Sequence, residues 1–361
     1  MRFIREQLRP GSYSIDQIPG EYRRNGDVLA ADVYRPAGVR RALPGWLVLH
    51  GLTAVGRKHE GLMGFARAMA ASGAVVMVPD IPEWRQLHVA ASVTVPTIRA
   101  AIHALAERAD VESDRVGIIG FSFGATQAIV AAADPGVQRI LQGIAAWGGY
   151  HELHRLFRFG ITGTHELDGR TYHIDPDPYG RWFMGGNYLT GIPGCEEYTA
   201  SQDALLQLAT AAGQRRVFAW DASFDPLKLE LRGTLPREQQ PMFDLFAPLT
   251  TQPIADRERA EFIAYELANA ALRAEPLLDP AAAISALRVP TLVAHGRDDR
   301  LVPFSESVQL ARALPPDALV NLTITALFAH SGGTQVGLSL YERGREGLRF
   351  VRLLDRIVDL I

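Results

Sequence analysis

The chain has 361 residues, of which 47% are hydrophobic and 21% charged. That is the composition of an ordinary globular protein with enough length for a large core. Thirty-seven basic residues against forty acidic ones leave a net charge of −3, which gives no polyanion-binding surface, so no nucleic-acid partner is expected. Cys195 is the single cysteine, which rules out an intramolecular disulfide and a cysteine-based zinc site.

In chain order, residues 1–10 carry three arginines and a glutamate with no apolar run behind them, so no secretory signal is expected in them. No stretch approaches the ~18 consecutive apolar residues of a membrane span. The expected compartment is the cytoplasm. Residues 28–34 predict a strand ending at Arg35-Pro36, and it is expected at a sheet edge because proline cannot donate to a ladder. Residues 46–49 and 74–78 are continuous apolar runs broken by His50-Gly51 and Pro79-Asp80. Runs apolar on both faces read as buried parallel strands. Residues 61–71 have helical spacing with a stop at Gly73, and a second helix is predicted over 95–108.

Residues 116–119 predict a third buried strand, followed at once by Gly120-Phe-Ser-Phe-Gly124 and a small-residue helix over 125–133. A fourth strand is expected at 140–147, a fifth at 291–294 before His295-Gly296, and a sixth at 319–324. Residues 348–361 close the chain as an amphipathic helix. Strands alternating with helices predict an α/β fold, a mostly parallel sheet covered on both faces. Residues 150–285 break that rhythm. They are rich in aromatics, glycine and proline at first, then helical over 236–277. The segment is too long for a plain loop, so it is expected to form a mainly helical cap over one end of the sheet. The expected division is a core of 1–149 and 286–361 with a cap of 150–285.

The pattern G-x-S-x-G between a buried strand and a helix puts Ser122 on a sharp turn with its hydroxyl exposed at the carboxyl edge of the sheet. The helix start adds backbone donors that favour an anion there. A serine needs a base, and histidine suits that role. In a site of this kind the acid and then the histidine follow the serine. Of ten histidines, only His330 lies beyond the last predicted strand, in a small glycine-rich loop. The acid should follow the preceding strand, where Asp298 and Asp299 are adjacent. Successive side chains on an extended segment point oppositely, so one of them reaches the histidine, and Asp299 is favoured. Acyl transfer also needs two donors for the developing oxyanion. The N–H groups of Phe123, after the nucleophile, and Leu52, in the loop after residues 46–49, are the expected pair. His50 is expected to bond within that loop.

Together these elements resemble the α/β-hydrolase superfamily. His50-Gly51, the G-F-S-F-G turn, Gly-Arg-Asp-Asp-Arg-Leu-Val-Pro303 and Ala329-His330-Ser331 stand in that family's order. The aspartate of G-x-x-D-x-x-V-P is the family's usual acid, which supports Asp299. The segment 31–36, Ala-Asp-Val-Tyr-Arg-Pro, is similar to the start of cocaine-esterase-like and Xaa-Pro-peptidase-like members. The resemblance covers about residues 25–150 and 285–361. It implies a cofactor-free Ser122–His330–Asp299 hydrolase, most commonly a carboxylesterase acting on a small-molecule ester. The same triad acting on an amide, a peptide or a carbon–carbon bond stays open, as does a binding protein on a hydrolase scaffold. Oligomeric state is equally open.

No metal site is expected, since His151-Glu-Leu-His154 lacks the H-E-x-x-H spacing. Asp175-Pro-Asp177 reads as a turn, and Cys195 as a small cap residue. Phe123 could wall an acyl pocket, and Phe121 could pack beneath the turn. Tyr150, Phe157, Phe159, Tyr179, Trp182, Phe183 and Tyr188 crowd the early cap. Most of them are expected in the cap's own core, a few against the serine.

Overall fold

The structure is a computed structural model that describes residues 2–215, 217–252, 256–327 and 339–361. Ten strands occur among them: β1 (Ile15–Arg24), β2 (Asp27–Pro36), β3 (Leu43–Leu49), β4 (Val75–Pro79), β5 (Val111–Phe121), β6 (Leu141–Trp147), β7 (Thr164–Leu167), β8 (Arg170–His173), β9 (Thr291–Gly296) and β10 (Leu319–Thr325). Eight of them form one sheet in the order β1-β2-β4-β3-β5-β6-β9-β10, and β7 and β8 form a separate hairpin. β1, β2 and β4 pair antiparallel, and every pair from β4 to β10 is parallel.

The continuous apolar runs are explained by the two faces of this sheet. Leu47 and Leu49 point to one face, with Val75, Met77 and Ile118, against helices Ala91–Ala106 and Phe123–Ala132. Trp46 and Val48 point to the other, with Val76, Val78 and Ile119, against helices Glu60–Ala71 and Leu340–Val358. Each alternate side chain is therefore buried, and period-two polarity disappears.

The expected edge position of β2 is corrected. β1 lies outside it, paired from Ile15↔Pro36 to Arg24↔Asp27. β1 is polar and mostly exposed, with Tyr22 its buried residue, so it carries no apolar alternation. It is β1 that occupies the edge, with Pro19 in it, where a missing N–H is tolerated.

Between β6 and β9 the chain forms helices from residue 153 onward, earlier than the 236 expected. They include Leu153–Thr162, Pro178–Tyr188, Thr199–Arg215, Asp225–Thr234, Gln240–Phe246 and Arg257–Ala274. Two of the glycines in this segment serve contact between helices, whereas Gly163, Gly169 and Gly194 have positive φ at chain reversals. A Cβ on Gly185 would stand 2.7 Å from Leu205 Cδ1, and one on Gly186 2.6 Å from Leu206 Cγ, so helix Pro178–Tyr188 lies directly on Thr199–Arg215. Helix Ala281–Ala286 packs on Phe123–Ala132 beneath. Among the described residues no helix is long and apolar enough to cross a membrane.

Candidate active site

Ser122 sits between β5 and helix Phe123–Ala132 with φ +58° and ψ −130°. A non-glycine residue in that conformation is strained. Its N–H donates to Trp147 O at 2.8 Å and its carbonyl accepts Ala125 N–H at 2.9 Å, which locks the turn to the end of β6 and to the helix. The turn is so tight that a Cβ on Gly124 would stand 2.4 Å from His50 O. Gly124 is thus required by the approach of the His50-Gly51 loop, and Gly120 by the start of the helix, since a Cβ there would stand 2.3 Å from Gly124 O. That loop lies against the serine, where a Cβ on Gly51 would be 2.9 Å from Ser122 Cβ.

The two phenylalanines beside Ser122 face opposite ways. Phe121 packs edge-on to Phe65 and near Trp147, beneath the turn. Phe123 stacks on Tyr150 with 6.3 Å between centroids and lines a cavity. The cavity measures about 60 Å³, and Leu52, Ser122, Phe123, Leu301 and Val302 all border it. It therefore collects the expected nucleophile, both expected oxyanion residues and the segment next to the expected acid.

Asp299 is fully buried, whereas Asp298 is exposed. Asp299 Oδ1 accepts the N–H groups of Leu301 and Val302 at 2.9 and 3.0 Å. Its Oδ2 is 3.4 Å from His295 Nε2. His295, also buried, reaches Val302 O at 2.9 Å through Nε2 and Ser307 Oγ at 2.6 Å through Nδ1. His295 thereby braces the acid-bearing turn, a role the sequence reading did not assign. The signal was there, since His295-Gly296 at the end of β9 repeats the His50-Gly51 pair that follows β3. His330 lies outside the described residues.

His50 bonds inside its own loop, Nδ1 to Gly51 O at 2.6 Å, with its ring edge-on to Trp84. A carbonyl only accepts, so Nδ1 carries the proton. Burial pushes the His50 pKa down to about 4. Burial does the same to His165, also to about 4, whose Nδ1 is 3.0 Å from Ser305 Oγ. Both are neutral at pH 7. Their folded pKa values lie below the unfolded value of about 6.5, so the unfolded state binds more protons between about pH 6.5 and 4. Stability should fall as pH drops through that window, by up to about 1.4 kcal/mol per histidine for each unit. Urea midpoints at pH 7, 6 and 5 check this. A flat series would show that these two rings do not gate stability.

The wall above the serine comes from the segment between β6 and β9. Tyr150, Phe157, Tyr179, Phe183 and Tyr188 line the cavity, so most of the early aromatics face the site rather than a few. Phe159 packs instead on His165, and Trp182 on Phe224 with Nε1–H donating to Phe246 O at 3.1 Å. The three lining phenols are all engaged with backbone carbonyls. Tyr150 donates to Leu278 O at 2.9 Å, Tyr179 to Leu52 O at 3.0 Å and Tyr188 to Val89 O at 2.5 Å. The cavity thus shows rings and aliphatic groups to its contents, with Ser122 its polar feature among the described lining residues.

Other expected positions have plain structural partners. His151 Nδ1 accepts from Arg155, and His154 Nε2 pairs with Asn269 Oδ1 at 3.0 Å. Asp177 caps helix Pro178–Tyr188 by accepting Tyr179 N–H at 3.0 Å. Cys195 is buried, and burial raises its thiol pKa.

No family model matches the chain, and no curated protein sequence does. Solved structures do. Brefeldin A esterase, described as a bacterial homologue of human hormone-sensitive lipase, is 16% identical, with 97% of this chain and 76% of that chain covered and a TM-score of 0.50. The acylaminoacyl peptidase of Pyrococcus horikoshii is 13% identical, with 97% of this chain and 43% of that chain covered and a TM-score of 0.52. At these identities the likeness is one of fold. The chain has the α/β-hydrolase fold.

Proposed function

We propose that the protein is a serine hydrolase that cleaves small carboxylic esters through an acyl-enzyme. The observation that carries this reading is Ser122 itself, held at φ +58° on a tight strand-to-helix turn and lining an apolar cavity. Strain of this kind persists only where the surroundings impose it, and it clusters at active sites. In the proposed reaction His330 takes the Ser122 proton as Oγ attacks the ester carbonyl. The oxyanion is received by the N–H groups of Leu52 and Phe123. Collapse expels the alcohol, protonated by His330, and leaves the acyl-enzyme. Water then attacks with His330 as base and releases the acid. Asp299 holds His330 in the right tautomer and stabilises the imidazolium. Residues 150–285 act as the cap that sets substrate size.

The cavity supports a short apolar acyl group. At about 60 Å³ it is less than half of the ~150 Å³ void that holds benzene. Each methylene that fits adds about 0.8 kcal/mol of transfer free energy, or roughly fourfold in kcat/KM. Among p-nitrophenyl esters kcat/KM should rise from acetate to butyrate and drop at least about tenfold by octanoate. A profile still climbing at octanoate would refute the size assignment. Absence of ester turnover together with absence of a phosphonate adduct would refute the hydrolase.

A further inference from the structure

The residue expected to supply an oxyanion donor, Leu52, is gripped on both sides. The peptide that carries its N–H has Gly51 O as its carbonyl, and His50 Nδ1–H donates to that oxygen at 2.6 Å. The carbonyl of Leu52 itself accepts from Tyr179 at 3.0 Å. With both flanking peptide planes held, the φ and ψ of Leu52 are set, and so is the direction of its N–H. The first grip comes from the loop's own histidine. The second comes from the layer above, because Tyr179 belongs to helix Pro178–Tyr188.

The same stretch also holds the acid-bearing turn. Asp177 N–H donates to Arg300 O at 2.8 Å, and Arg300 Nε–H donates to Asp175 O at 2.7 Å. A Cβ on Gly180 would stand 3.4 Å from Leu301 Cδ2. Leu301 is one of the two residues whose N–H groups the Asp299 carboxylate accepts. Residues 175–180 thus bridge the loop after β3 and the turn after β9.

We infer that Tyr179 is a positioning residue, through which seating of the upper layer sets the Leu52 N–H for the oxyanion. The inference rests on the hydrolase reading above. Tyr179 touches no reacting atom in this role. Its hydroxyl acts on the Leu52 peptide, and a donor out of line by a fraction of an ångström loses most of its value to the transition state while binding of the neutral ester is little changed.

The test compares wild type, Tyr179→Phe and Ser122→Ala with p-nitrophenyl butyrate and with a trifluoromethyl ketone of the same chain length. That ketone adds to the serine and places an oxyanion where the ester would. In Tyr179→Phe the ring and its packing stay, and only the hydroxyl is lost. The expected result is a kcat about tenfold lower with KM within twofold, and ketone affinity lower by the same factor as kcat. The thermal midpoint should stay within a few degrees of wild type. Unchanged kcat and ketone affinity would overturn the inference. So would a raised KM with kcat kept, since that is the signature of lost packing or binding. If wild type turns over no faster than Ser122→Ala, the failure lies with the hydrolase reading. If wild type is active and Tyr179→Phe matches it, only the role of Tyr179 fails.

Discussion

Ser122→Ala is expected to lower kcat for p-nitrophenyl butyrate by on the order of 10⁵-fold and to abolish labelling by an organophosphonate. The magnitude follows from serine hydrolases in which the nucleophile is removed and only binding and oxyanion stabilisation remain. Folding should survive the change. Ser122 contributes backbone bonds to Trp147 and Ala125, and alanine keeps both. Alanine also keeps the Cβ that makes φ +58° unfavourable, whereas glycine does not. Ser122→Gly should therefore be the more heat-stable of two inactive variants. Turnover within tenfold of wild type in either would remove Ser122 from the role of nucleophile.

Asp299→Asn is expected to lower kcat by about 10²–10⁴-fold, because the amide no longer fixes the imidazole tautomer or stabilises the imidazolium. The same change at the exposed neighbour, Asp298→Asn, should leave kcat within about twofold. A stability effect goes with the first variant alone. Asparagine Oδ1 can still accept from Leu301 and Val302. Its NH₂ would then face His295 Nε2, 3.4 Å from the present Oδ2. That ring nitrogen must donate to Val302 O, so two donors would oppose one another in a buried site. Such a mismatch costs about 1–3 kcal/mol, visible as a lower urea midpoint. Equal activity losses at Asp298 and Asp299 would show that the acid has been misassigned.

The parts of this protein that were legible in its sequence are those where burial and chemistry repeat one signal. β3, β4, β5, β6 and β9 each read as a short apolar run because both sheet faces are covered. Ser122 read as special because strand, turn and helix meet at G-x-S-x-G. β1 was missed because an edge strand buries little. Its signal lay in the turn, where Asn25 (φ +50°) and Gly26 (φ +96°) join it to β2, and Asn-Gly is the preferred two-residue hairpin pair. The last helix begins at Leu340, not 348, because Ser339 and Glu342 form a capping box, a start signal that apolar spacing does not register. The helices over Ser122 stayed hidden because their glycines sit at helix crossings. The partner of the Leu52 carbonyl had no signal at all, since residues 52 and 179 meet only in the folded chain.

The hydrogen bond from Tyr150 to Leu278 has a consequence for how such a protein can change over time. Tyr150 follows β6 and Leu278 precedes β9, so the bond ties the two ends of the intervening span together. Loop-closure cost grows only with the logarithm of length. The span between can lengthen, shorten or be exchanged whole while the strand register below is kept. The catalytic groups expected on the sheet edge and the walls proposed to choose the substrate would then be inherited as separable parts. A replacement span would have to bring one group of its own: a donor, where Tyr179 now stands, for the Leu52 carbonyl.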